Sequence, residues 1–179
     1  MSRSAETVTG EAWRIALAFL LAFISFYIVT LYPARALSAI FGIVGVPFLG
    51  IALLGGFILI FWVSTAYTIA GESYGIITAL LAAAFCLFTN PWFGISEPEW
   101  YGVYGLTSYF FAGLLTEKLN GGFGNLACLL VNWLALGFHH GIWPPPTLAI
   151  IFLATSFVSG LAGDKLARIV WGKLKIKTK

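Results

Sequence analysis

The residues best suited to chemistry lie in one segment, where two carboxylates and three aromatic side chains fall within eight positions. They are Glu97, Glu99, Trp100, Tyr101 and Tyr104. Aromatic faces beside carboxylates can hold a flat or cationic organic ligand by stacking and by charge. An aromatic belt at a membrane interface, with solvated acids beside it, predicts the same composition. The segment is therefore a candidate ligand site or a candidate interfacial belt.

A second set of polar residues follows at helical spacing. Asn132, His139 and Trp143 lie at i, i+7 and i+11, which would place them on one face of a helix. A polar group at membrane depth is costly unless it is paired or faces a cavity. Asn132 could therefore form an interhelical hydrogen bond, and His139 could lie among lipid head groups. The alternative for both residues is that they line a pocket.

The sequence indicates neither metal nor catalytic chemistry. Adjacent helical residues point about 100° apart, so His139 and His140 cannot readily chelate one ion, and no H-E-x-x-H spacing occurs. Cys86 and Cys128 lie in apolar runs and do not indicate a disulfide framework. There is no P-loop, no dinucleotide fingerprint and no nucleophile-elbow serine. We therefore expect no catalytic residue, no metal and no cofactor.

Six apolar runs must position these residues. They span residues 12–32, 47–69, 75–91, 102–116, 122–143 and 147–171. A membrane span needs ~20 mostly apolar residues, and the chain is 60% hydrophobic and 9% charged. The sequence therefore predicts an all-α integral membrane protein in which residues 1–179 form a single six-helix bundle. The first run is longer than the core of a usual signal peptide, so we expect this helix to be retained.

The basic residues orient the predicted bundle. Nine of the ten lysines and arginines fall on one side, and only Arg35 falls on the other. Because Lys and Arg collect on the cytoplasmic side, we expect both termini in the cytoplasm and the protein in the cell membrane. Arg35 then lies outside, where it could pair with Glu97 or Glu99 or bind a ligand anion. No basic domain indicates nucleic-acid binding.

The predicted inner and outer connections differ in character. The inner turns, at 71–75 and 117–122, are short and rich in glycine, and Glu72, Glu117 and Asp164 mark the inner helix ends. Pairs of Asp164 with nearby cations should be worth little. The outer connections are residues 33–46, 92–101 and 143–147. They hold the unusual residues, which suits a pocket that opens outward over a packed helical base.

Small residues repeat at four-residue spacing in the first and last predicted helices. In the first helix they are Ala12, Ala16, Ala18 and Ala22. In the last they are Thr155, Ser159 and Gly163, with Ser156 and Gly160 on the neighbouring stripe. Small residues at i and i+4 let helix backbones approach closely in lipid. These faces could pack against the protein's own helices or dock onto another subunit.

This layout resembles the substrate-binding S component of energy-coupling factor transporters, which are small membrane proteins with six helices and both termini inside. The resemblance covers the whole chain as architecture: short inner turns, longer outer loops, the alanines of the first helix and a basic tail. The glycine-, aromatic- and acid-bearing middle looks most like members that take up thiamin or its pyrimidine precursor. The chain lacks the Met-His start of the cobalt and nickel relatives, which disfavours a metal substrate.

The resemblance implies both partners and site residues. It implies a vitamin-like small organic ligand, a membrane coupling subunit and an ATPase pair. In the family the alanine face of the first helix meets the coupling subunit, and the matching positions are Ala12, Ala16, Ala18 and Ala22. The family pocket forms on the outer side, with matching positions Arg35, Glu97, Trp100, Tyr104, Asn132, His139 and Trp143. Glu99 joins this set through the residue argument above.

Two functions of other classes compete with a substrate-binding subunit. An accessory or assembly subunit of a larger membrane complex would have no ligand of its own and would expose small and apolar residues on several sides. An intramembrane enzyme would need a nucleophile or base beside a partner that orients it, and nothing in the sequence ties such a pair together. A closed outward pocket that contains the named side chains would favour the binding subunit.

Overall fold

The computed structural model describes residues 3–31, 49–88 and 98–176, and within them the regular structure consists of six helices. Helix α1 spans Arg3–Leu31, α3 spans Tyr74–Phe88, α4 spans Pro98–Lys118, α5 spans Gly121–His140 and α6 spans Pro146–Ile176. Helix α2 has three consecutive parts, which are the α-helical Leu49–Gly55, the π-helical turn Gly56–Ile60 and the α-helical Phe61–Ala70. The prediction of an all-helical chain is confirmed for these residues.

Among the residues that the structure describes, four helices are long and apolar enough to cross a membrane. The qualifying stretches are Gly10–Ile28, Gly50–Ala70, Gly121–His140 and Pro146–Gly172. Helix α3 is apolar, but its 15 residues give only ~22 Å of helix against a hydrocarbon core of ~30 Å. The architecture is consistent with a membrane protein, whereas the count of six spans and the side of each terminus stay predictions.

Helix α5 ends earlier than the predicted run 122–143. Gly141 follows His140 in the left-handed region at φ 66°, and its N–H donates to the carbonyl of Gly137. A glycine in this conformation commonly terminates a helix because it carries no Cβ. Trp143 therefore lies beyond the helix, and the i+11 spacing does not place it on a helix face with Asn132 and His139.

Helix α2 contacts all five other helices. Around it, α1 packs against α3, α3 against α4, α4 against α5, and α5 against α6. The two halves of α2 have different main neighbours. Leu49–Gly55 packs on α5 and α6, whereas Phe61–Ala70 packs on α1, α3 and α6. The central apolar cluster accordingly draws residues from α1 to α6 and includes Ile60, Val63 and Leu129.

The connections define two ends of the bundle. We use "turn end" for the end with the short turns at 71–73 and 119–120, and "loop end" for the end with residues 141–145. Because successive helices run in opposite directions, the start of α4 and the end of α5 both lie at the loop end. The start of α5 and the later part of α6 lie at the turn end.

The π-helical turn of α2 lies against the small residues of α6. A Cβ on Gly56 would overlap the backbone of Ser159, and a Cβ on Gly163 would overlap the backbone of Gly56. Ser159 Oγ accepts a hydrogen bond from Gly56 N–H at 3.2 Å and donates to the Leu53 carbonyl at 2.8 Å. Side chains of this kind can satisfy irregular backbone groups at membrane depth. This small-residue stripe therefore packs against the protein's own helix.

The neighbouring stripe of α6 packs on α5 through Asn125, a residue that the sequence did not single out. Its side chain is fully buried. Asn125 Nδ2 donates to the carbonyl of Ile51 at 3.1 Å, and to the carbonyl and hydroxyl of Ser156 at 2.9 and 3.0 Å. One amide thus joins α2, α5 and α6 in the interior of the bundle.

Candidate functional site

Two predicted site residues meet at the loop end. The rings of Tyr104 on α4 and His139 on α5 are 5.2 Å apart between centroids and nearly perpendicular, at 78°. Antiparallel packing of α4 and α5 brings the start of one helix beside the end of the other. His139 is exposed and Tyr104 is partly buried. A phenol and an imidazole therefore lie together on this end of the bundle.

Asn132 lies on the same helix as His139 but deeper. Seven residues separate the two, which corresponds to ~10 Å along the helix axis, and Asn132 is only 3% exposed. Its Nδ2 donates to the Cys128 carbonyl at 2.7 Å, one turn back on α5, and lies 3.8 Å from the Cys128 sulfur. The amide nitrogen is thus used within α5 and not in the interhelical hydrogen bond considered from the sequence.

Trp143 folds back onto a different side of α5. Its indole covers Gly137 so closely that a Cβ at that position would overlap the ring. It also contacts Phe138 edge-to-face at 5.9 Å between ring centroids. Positions 137 and 139 point about 200° apart on a helix. Trp143, which is 52% exposed, is therefore not brought together with the Tyr104–His139 pair.

Four further predicted ligand contacts lie outside the described side chains. Arg35 and Glu97 lie outside the described residues. Glu99 and Trp100 belong to the first turn of α4, where only the helical backbone is described. Position 100 precedes Tyr104 by four residues, so the helix places both on one face.

The four alanines predicted for a subunit interface fall into two pairs. Ala12 and Ala16 are exposed, whereas Ala18 and Ala22 are fully buried. The buried pair belongs to the packing of α1 on its neighbours, and Ala22 is part of the central apolar cluster. Within the described structure, the surface available to another subunit thus includes Ala12 and Ala16 but not the second pair.

A buried carboxylate at the turn end has a larger role than its sequence position indicated. Asp164 is 3% exposed. It accepts hydrogen bonds from Ser64 Oγ at 2.7 Å, from Arg168 Nε at 2.8 Å and from Gly121 N–H at 3.1 Å. A buried charge is costly unless donors satisfy it, and here both oxygens are bonded. Asp164 therefore joins α2, α5 and α6. It lies inside α6, which corrects the expectation that it marks a helix end.

The helix starts at the turn end are capped by side chains. Glu117 of α4 accepts hydrogen bonds from the backbone N–H groups of Ser73 and Ile76, at 3.0 and 3.1 Å, and so caps α3. Asn120 Oδ1 accepts from Gly122 and Phe123 N–H at 2.9 and 3.3 Å and caps α5. The first N–H groups of a helix have no partner within it, so these bonds stabilise both starts.

The described loop end offers rings and hydrogen-bonding groups on the surface, and the turn end offers a satisfied polar cluster. Among the described residues, no group of three or more His, Cys, Asp and Glu side chains could hold a metal ion. Comparison of the chain with models of protein families, with curated proteins and with solved structures finds no match.

Proposed function

We propose that this protein is the membrane-embedded substrate-binding subunit of an uptake system for a vitamin-like small molecule. The system would include a membrane coupling subunit and an ATPase pair. The observation that carries the proposal is the contact of Tyr104 with His139 at the loop end. Tyr104 lies one helical turn from position 100, in the segment where the sequence concentrates carboxylates and aromatic rings.

The chemistry of this region fits a flat ligand that carries positive charge. An aromatic ring pair contributes ~0.5–1.5 kcal/mol beyond its buried area, and a cation over an aromatic face contributes ~0.5–2 kcal/mol. Glu97 or Glu99 would neutralise the charge, and Trp100 would supply a stacking face. Arg35 and Asn132 stay in the proposal as further contacts, with Asn132 at the deepest position, whereas Trp143 lies on another side of α5 and is not included. Thiamin and its pyrimidine precursor have this chemistry.

The rest of the bundle supports the proposal by its asymmetry. Asp164, Glu117 and Asn120 fix the helices at the turn end through cross-helix and capping bonds. The described loop-end contacts include ring contacts between exposed or partly exposed side chains. In the proposed topology the six helices span the cell membrane, both termini are cytoplasmic and the loop end faces out. Ala12 and Ala16 are the exposed positions at which α1 would meet the coupling subunit.

A ligand screen on the purified full-length chain tests this function. Thiamin, its pyrimidine precursor and other vitamins are added, and thermal unfolding is recorded. A ligand at 100 times its Kd raises the free energy of unfolding by ~2.7 kcal/mol. Tyr104→Ala and His139→Ala should weaken binding of the compound found, whereas Phe110→Ala should not, because Phe110 is an exposed ring on the same helix, in contact with Phe111. Absence of binding by every compound would contradict the proposal.

A second candidate function is favoured by the exposure of α1. Only 22% of the residues in its span Gly10–Ile28 are buried, against 56% in the α5 span. Its exposed side chains include Trp13, Phe19, Phe23 and Tyr27. An accessory subunit of a larger membrane complex would use such a face for assembly and would bind no ligand. In that case Ala16→Trp would disrupt the complex, and the ligand screen would find no stabilising compound.

A further inference from the structure

The seam between α2 and α6 at the turn end holds an arginine in a fixed position. Arg168 Nε donates to Asp164 Oδ1 at 2.8 Å, and its Cζ lies 5.6 Å from the centre of the Tyr67 ring on α2. These contacts use Nε and one face of the guanidinium plane. Within the described residues the terminal nitrogens, Nη1 and Nη2, form no hydrogen bond, and the side chain is 44% exposed.

The carboxylate beside Arg168 does not cancel the positive charge at this seam. Asp164 also accepts from Ser64 and from the first backbone N–H of α5, where the helix dipole adds positive potential. Lys165, the next residue along α6, is exposed and makes none of the Asp164 bonds. The seam thus presents two cations against one buried carboxylate.

The surface next to these cations is apolar. On α6, Val158 is 63% exposed, Ala154 is exposed and Leu161 is half-buried. All three lie on the same side of the helix as both cations. The apolar stretch of α6 that could span a membrane ends at Gly172. Arg168 lies about one turn before that end, which is the expected membrane boundary. Cations at this boundary, with an apolar stripe leading to the middle of the span, match a lipid with an anionic head group.

We propose that the turn end of the α2–α6 seam binds the phosphate group of an anionic lipid. The terminal nitrogens of Arg168 hold the phosphate in the forked geometry that suits a guanidinium, and Lys165 adds a second charge. One acyl chain lies along Leu161, Val158 and Ala154, which share a side of α6 with both cations. The site rests on the membrane embedding of the bundle and is independent of ligand binding at the loop end.

Retention of phosphatidylglycerol against phosphatidylcholine tests the site. The purified full chain, in a neutral detergent, receives each lipid in turn, and bound lipid is counted by native mass spectrometry. Thermal unfolding is recorded with and without lipid. We expect preferential retention of phosphatidylglycerol and a rise in Tm with that lipid. Since each basic residue near an anionic surface contributes enough for about a fivefold change in affinity, Lys165→Gln should weaken retention about fivefold and Arg168→Gln at least as much.

Matched variants separate lipid binding from folding. Arg168→Gln also removes a bond to Asp164 and lowers the starting stability, so the readout is the increment in Tm that the lipid produces. Lys165→Gln leaves the Asp164 bonds in place. Arg168→Lys should recover part of the retention, because the charge stays while the fork is lost. Lys118→Gln, an exposed lysine at the same end on α4, should behave as the unmodified protein.

Three results would overturn the site. The first is equal retention of the two lipids by the unmodified protein. The second is retention of phosphatidylglycerol by Arg168→Gln and Lys165→Gln at the unmodified level. The third is a full stabilising increment with inorganic phosphate alone, which would assign the cations to a soluble anion.

Discussion

The two ends of the bundle use their polar groups differently. At the turn end, Asp164, Glu117 and Asn120 each accept hydrogen bonds from backbone or side-chain donors, and the first two link separate helices. At the loop end, the described contacts include the ring pairs Tyr104–His139 and Phe138–Trp143, and three of these four residues are exposed. Within the described residues, cross-helix hydrogen bonds to carboxylates are thus a feature of the turn end, and exposed aromatic rings are a feature of the loop end.

The largest loss of stability should come from a side chain placed between α2 and α6. In Gly163→Ala the new Cβ overlaps the Gly56 backbone, and backbone cannot move aside as a flexible side chain can. We expect this overpacking to lie at the upper end of the usual range. It should lower the free energy of unfolding, measured in detergent, by ~3 kcal/mol or more. Gly172→Ala on the same helix has open space around the new Cβ and should not destabilise. Equal stability of the two variants would show that the helices are not in close contact.

Removal of the turn-end carboxylate should have the next largest effect. Asp164→Ala leaves the buried hydroxyl of Ser64 and the N–H of Gly121 without an acceptor, whereas the half-exposed Arg168 can turn to water. We expect a loss of ~2–3 kcal/mol in the free energy of unfolding. Glu72→Ala is the control, because Glu72 is exposed at the same end. If both variants lowered the free energy of unfolding by a similarly small amount, the buried carboxylate would not stabilise the turn end, and the contrast between the two ends would be lost.

The hydroxyl that satisfies the π-helical turn should rank third. Ser159→Ala removes the partner of Gly56 N–H and of the Leu53 carbonyl, and we expect a loss of ~1–2 kcal/mol. Thr155→Ala is a matched control on the same helix, because Thr155 Oγ1 only returns to the Ile151 carbonyl of its own helix at 2.8 Å. The Thr155 variant should change stability by ~0.5 kcal/mol or less. A larger loss of stability in Thr155→Ala than in Ser159→Ala would mean that the π-helical turn does not need the Ser159 hydroxyl.

Loop-end substitutions should have the smallest effect on stability and the clearest effect on binding. His139→Ala removes an exposed ring from the pair with Tyr104, so we expect a change of ~0.5 kcal/mol or less in unfolding. The binding free energy for the compound found in the screen should weaken by ~1–3 kcal/mol, which is a loss of affinity of about five- to 140-fold. Calorimetry on the folded variant measures the affinity. A variant that loses stability and keeps its affinity would assign this pair to packing.

The sequence predicted those parts of the fold that depend on local composition. The apolar runs gave the helices, and glycine near 71 and 121 marked the turns. The proximity of Tyr104 and His139 followed from antiparallel neighbouring helices. The fold-back of Trp143 onto Gly137 could not be predicted, because the apolar pair Ile142–Trp143 extends the run past the glycine that ends α5.

Contacts between distant residues were beyond a single sequence. Asp164 and Ser64 are 100 positions apart, and Asn125 reaches Ile51 across 74 positions. The 3.6-residue period shows which residues share a face of a helix. It does not show which other helix packs against that face. The pairing of Asp164 with Arg168 was visible because both lie one turn apart on α6. The burial of Asp164 depends on where α2 and α5 pack. Because it is buried there, Asp164 links three helices and does more than form a weak local pair.

The π-helical turn of α2 changes how this stretch should be aligned with other sequences. A π turn carries one residue more than the α-helical path it replaces, so the apolar pattern of Leu49–Gly55 is shifted by about 100° from that of Phe61–Ala70. Loss of one residue between Gly56 and Ile60 would restore a regular helix instead of breaking it. A one-residue gap in the middle of a membrane span is usually treated as an alignment error. At this position such a gap would record the loss of the turn.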